Sequence, residues 1–110
     1  MGDRGNVVLT YEQGGKIYFY THWQGSNLRE IVRQALIRGK SRWDDEPYLS
    51  RIILSEMVKD NVLEETGYGI APYEMDSGAL VKINLKERSV DGIKFADYIL
   101  SERTEGGLNG

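Results

Sequence analysis

The hydrophobic period of this chain changes twice, and that change restricts its fold more than any single motif. From Val7 to Trp23 the chain carries the β-branched and aromatic residues of strands. From Leu28 to Met57 apolar residues recur at helical spacing, and from Ala79 to Leu85 they alternate again. A chain written this way has to lay helices on a sheet.

Val7–Tyr11 and Ile17–Trp23 flank Gly14–Gly15, residues that tolerate positive φ, and predict a β-hairpin. On its second strand Ile17, Phe19, Thr21 and Trp23 share the face expected to meet the core. Tyr18, Tyr20 and His22 take the other. Ser26 or Asn27 can cap the next helix, with Glu30 as a capping-box partner to Asn27. Leu28, Ile31, Val32, Ala35 and Leu36 form one apolar stripe, and Gly39 suits the helix end. A second helix begins near Asp44 or Asp45, tolerates Pro47 in its first turn, and buries Leu49, Ile52, Ile53 and Met57. Gly69 and Pro72 predict an edge or bulged strand over 68–73. Ala79, Val81, Ile83 and Leu85 alternate as the cleanest strand, and 93–100 reads as a strand or a short helix. The expectation is an α+β domain over 1–103 in ββααβββ order, with an antiparallel sheet and two amphipathic helices on one face. Residues 104–110 are expected to be a flexible tail.

Composition narrows the function classes. The chain has no cysteine, which excludes disulfides, thiolate metal sites and cysteine nucleophiles. Its start lacks the basic and apolar regions of a signal peptide, and no apolar run is long enough to span a bilayer. A cytoplasmic protein is expected. A net charge of −3 disfavours a long nucleic acid as partner but leaves room for a small anion. No phosphate loop, nucleophile elbow or zinc ligand set is present, since His22 is the single histidine. No catalytic, metal or cofactor residue is therefore assigned.

Two polar and aromatic clusters remain. Tyr18-Phe19-Tyr20-Thr21-His22-Trp23 ends the hairpin, and Arg42-Trp43-Asp44-Asp45-Glu46-Pro47-Tyr48 joins the helices. Trp23 and Trp43, at element ends, can stack on a base, as can Tyr48 and Tyr68. Arg42 and Arg51 have guanidinium forks suited to phosphate, with Arg51 on the helix face of Tyr48. His22, Asp44, Asp45 and Glu65 can orient a sugar or base edge. The plainer readings are helix capping for Asp44, Asp45 and Glu46, internal ion pairs for the arginines, and a neighbour hydrogen bond for His22.

Three words, Lys16-Ile17-Tyr18-Phe19-Tyr20-Thr21-His22-Trp23, Arg42-Trp43-Asp44-Asp45-Glu46-Pro47-Tyr48-Leu49 and Glu65-Thr66-Gly67-Tyr68-Gly69-Ile70, resemble those of a family of small phage and bacterial proteins. The resemblance covers residues 5–100 and implies no catalytic activity. It implies a bacterial host cytosol and a counter-defence role, by analogy to oligomeric sponges that bind cyclic or ADP-ribose-type signalling nucleotides without cleaving them. The expected function is sequestration of such a small anionic ligand by a homo-oligomer, with Tyr18 and Tyr20 serving self-association. The alternative is a protein–protein interaction module that inhibits a host defence complex.

Overall fold

In a computed structural model, which describes residues 2–101, strands β1 (Gly5–Thr10) and β2 (Lys16–Thr21) form the predicted hairpin, antiparallel from Gly5↔Thr21 to Thr10↔Lys16. Helices α1 (Leu28–Arg38) and α2 (Glu46–Val58) follow, then β3 (Tyr68–Ala71), β4 (Ala79–Asn84), the short β5 (Ser89–Val90) and β6 (Ile93–Lys94), and α3 (Phe95–Ser101). The class is α+β. The sheet runs β3-β2-β1-β4-β5-β6 and is mixed, because β4 lies parallel to β1.

That parallel pairing corrects the expected antiparallel sheet, and its cause lies far apart in sequence. β3 adds to the outer edge of β2, which leaves the other edge of β1 open. β4 fills it in a register that sets Val81 beside Val7 and Ile83 beside Leu9, so all four enter one core. Residues 72–78 must then travel back along the sheet, and they do so across the face opposite the helices. Buried Asn6 holds them there: its amide donates to the Met75 carbonyl (2.6 Å) and Asp76 carbonyl (3.2 Å), and its oxygen accepts from the Met75 N–H (3.2 Å). Tyr20, on this face, reaches Asp76 with its hydroxyl (3.3 Å), and both Tyr18 and Tyr20 are half-buried. The face expected to serve self-association is thus partly covered by the chain itself.

The α1 stripe is as the periodicity predicts: Leu28, Ile31, Val32, Ala35 and Leu36 are all buried. Its start differs. Asn27 makes no capping bond, and Glu30 turns to Arg33 (2.6 Å) and Gln34 (2.8 Å) instead. Asp3 caps the preceding turn by accepting from the Ser26 N–H and hydroxyl. On α2, Asp45 is the cap, accepting from the Tyr48 N–H at 3.2 Å, and Leu49, Ile53 and Met57 are buried. The ambiguous 93–100 segment is both things in turn, two residues of strand and then a third helix. Phe95 and Tyr98 of α3 enter the same hydrophobic cluster as β1, β4, α1 and α2. Among the described residues, no helix is long and apolar enough to cross a membrane. The expected tail, 104–110, lies outside the described residues.

Candidate functional site

The two aromatic words fold to different ends of the molecule. At the first, the strand alternation that predicts a buried Trp23 stops at Thr21. The Thr21 hydroxyl oxygen accepts from the N–H of Trp23 (3.3 Å) and of Gln24 (3.2 Å), which swings the chain outward. Phe19 and Thr21 are buried and Ile17 packs on the core, but Trp23 is 51% exposed. Its ring meets Tyr68 (centroids 6.2 Å apart) and His22 (5.6 Å), both edge to face. Gly67, at φ 95°, lies against the indole, so a Cβ there would overlap the ring. His22 is half-buried and its Nδ1 sits 2.9 Å from the Tyr20 hydroxyl.

Tyr68 places its hydroxyl 3.2 Å from both Gln24 Oε1 and Asn61 Oδ1. Burial pushes its pKa up, a hydrogen bond with Thr21 opposes this, and Asp60 adds to the rise. Burial, and then the Asp76 carboxylate, likewise raise that of Tyr20. Both hydroxyls therefore stay protonated and available as donors. Glu65 stands exposed two positions before Gly67.

At the second end Trp43 is a wedge. Its Nε1 donates to the Leu36 carbonyl (2.9 Å) at the end of α1, and its ring packs edge to face on Phe95 (5.3 Å). Arg42 holds its guanidinium 5.1 Å from the Tyr48 ring centre and 3.8 Å from Asp45, a cation–π stack with an ion pair. Arg51 is not part of this group, since it turns to the Ser55 hydroxyl (3.2 Å). Asp44 is exposed, and Asp45 is occupied as the α2 cap.

The two clusters do not form a single patch. Trp23 belongs to the end where β1 starts, tied there by Asp3 N–H to His22 carbonyl (2.8 Å) and Gly25 N–H to Asp3 carbonyl (2.7 Å). Trp43 belongs to the end where β1 finishes, beside the contact of the Glu12 N–H with Glu46 Oε2 (2.7 Å). The 11 residues of α1, about 16 Å of helix, separate them. They also neighbour opposite ends of the strand order, β3 and the β6–α3 junction. His22, Trp23 and Tyr68 come together, as do Arg42, Asp45 and Tyr48, but the two trios do not meet.

Trp43 instead faces residues that no motif singles out. An open cleft of about 390 Å³ is lined by Trp43, Lys86, Glu87, Arg88, Lys94 and Phe95. The β4–β5 turn shapes it: Asn84 Oδ1 accepts from the Glu87 N–H (2.8 Å), and the Phe95 N–H donates to the Arg88 carbonyl (2.8 Å). Arg88 takes the left-handed conformation at φ 55°, unusual for a residue with a side chain. Lys94 is engaged with the Glu87 carbonyl (3.0 Å), whereas Lys86 and Arg88 have no ion-pair partner among the described residues. The signal that could have found them is the cationic pair Lys86 and Arg88 in a turn straight after the strongest strand.

Comparison with protein-family models, curated proteins and solved structures finds no match to this chain.

Proposed function

We propose that the protein is a non-catalytic binder of a small anionic ligand, a nucleotide in chemistry, seated in the Trp43 cleft. One observation carries the reading: a partly exposed indole and two cations without ion-pair partners line the same cleft. Stacking on the indole suits a base, and Lys86 and Arg88 suit phosphate oxygens. The volume is of the size that small-ligand sites occupy. The single histidine sits at the far end of α1, which favours holding a ligand over acid–base chemistry on it. A counter-defence setting, in which withholding a signalling nucleotide needs no turnover, rests on the family resemblance alone.

The test is calorimetry and thermal shift with cyclic dinucleotides, ADP-ribose and nucleoside monophosphates. Binding that weakens as salt rises, and that is lost in a Lys86→Glu/Arg88→Glu double variant of unchanged melting temperature, supports the reading. Absence of heat and shift with every ligand at millimolar concentration sinks it. Binding undiminished in the double variant sinks the site.

A further inference from the structure

The other end of the sheet carries a surface that the Trp43 cleft does not use. β3 is an edge strand, and its hydrogen-bond phase follows from one contact. The His22 N–H donates to the Gly67 carbonyl (2.8 Å), so the pairs two and four residues on, Tyr20–Gly69 and Tyr18–Ala71, are the bonded ones. The main-chain groups of Tyr68 and Ile70 consequently point away from β2, to the open edge. Beside that edge an open groove of about 400 Å³ runs between β3 and the second half of α2. Leu54, Val58, Val62 and Ile70 form its apolar walls. Ile70 is 54% exposed and Val62 67% exposed. Unpaired strand edge and apolar groove together are what an added strand needs: main-chain bonds for affinity and pockets for alternate side chains.

Charge selects the occupant. Glu64 is the charged residue in the groove's lining, Asp60 acts on Tyr68 beside it, Glu65 follows Glu64, and residues 60–71 carry no lysine or arginine. A second copy would bring this acidic stretch against itself. A segment bearing lysine or arginine between apolar residues would be complementary. We propose that the β3 edge and its groove receive an extended basic and apolar segment of a partner protein, added as a further strand. The opposite edge does not compete for such a segment. β6 has two residues, runs straight into α3, and neighbours Lys86, Arg88 and Lys94. The surface shares no residue with the Trp43 cleft, so the two tests have separate outcomes.

The full chain is titrated into a fluorescein-labelled heptapeptide alternating lysine and valine, with a glutamate–valine heptapeptide as comparison. Anisotropy should rise for the first and stay flat for the second. Amide exchange at Tyr68 and Ile70 should slow on binding. Ile70→Lys should weaken binding by about ten-fold or more, and the milder Ile70→Ala by less, while Ile93→Lys on the far edge should leave it unchanged. A flat response to the lysine peptide, equal binding of the glutamate peptide, or protection elsewhere would overturn the proposal. So would concentration-dependent doubling of mass abolished by Ile70→Lys, which would make a second copy the occupant.

Discussion

Trp23 and Trp43 are the same residue at the ends of similar polar words, yet one is a surface and the other a joint. Trp43 has its N–H satisfied by Leu36 and its ring set on Phe95, so it locks α1 to the start of α3. Trp23 rests on Gly67, His22 and Tyr68 with half its area in water, and it joins nothing across the core. A large aromatic beside charged residues therefore has no fixed meaning. What decides is whether a second element arrives to cover it.

The largest expected effect tests that contrast directly. Trp43→Ala should lower the unfolding free energy by about 2–3 kcal/mol in urea denaturation, less than a fully buried aromatic because part of the indole stays in water. Trp23→Ala should cost about 1 kcal/mol, because half of its surface is never taken from water. Equal losses would break the comparison. Trp43→Phe sharpens it by keeping an aromatic ring, though a smaller one, and removing the donor, which should cost about 1–2 kcal/mol for the stranded Leu36 carbonyl.

Gly67→Ala comes next, at about 2 kcal/mol, from a left-handed backbone and a Cβ that meets the Trp23 ring. A double-mutant cycle with Trp23→Ala divides the two causes. If overlap with the ring matters, the cycle recovers part of the loss; if it is strictly additive, backbone strain alone explains Gly67. Asp45→Ala should then cost about 1 kcal/mol as a lost helix cap, and Asp44→Ala within about 0.5 kcal/mol, both from denaturation midpoints.

The smallest effect is a pH dependence at the Trp23 end. The Ser26 hydroxyl and then its N–H hold the Asp3 carboxyl below the ordinary value of 3.8. Its folded value lies under its unfolded one, so the contribution is full above that ordinary value. It fades as the pH falls through the lowered one. Asp3→Asn should flatten this part of the acid limb when the denaturation midpoint is followed against pH. An unchanged limb would remove Asp3 as a contributor.

Much of the fold was legible because it is local. Gly14–Gly15 between two strand-forming runs, the five-residue stripe of α1, Pro47 behind an acidic cap and the alternation of β4 each need only a dozen neighbouring residues to make sense. The core-facing placement of Trp23 failed where alternation was carried two residues past the strand, since the Thr21 side chain ends the pattern by taking two backbone donors. The candidate site was legible in its parts and not in its assembly. Arg42, Asp45 and Tyr48 are near in sequence and do meet. Joining them to Trp23 and Tyr68 required a fold in which α1 does not stand between.

The amino-acid order alone determined the hairpin, the two long helices and β4, with the faces most of their residues bury, because period and turn chemistry act over a few residues. Tertiary structure alone decided three things: the mixed sheet, the covering of its second face by residues 72–78, and the grouping of Lys86, Arg88 and Lys94 around Trp43. Each depends on contacts between residues several elements apart. Such contacts form only where they jointly bury more apolar surface, and satisfy more polar groups, than any local arrangement.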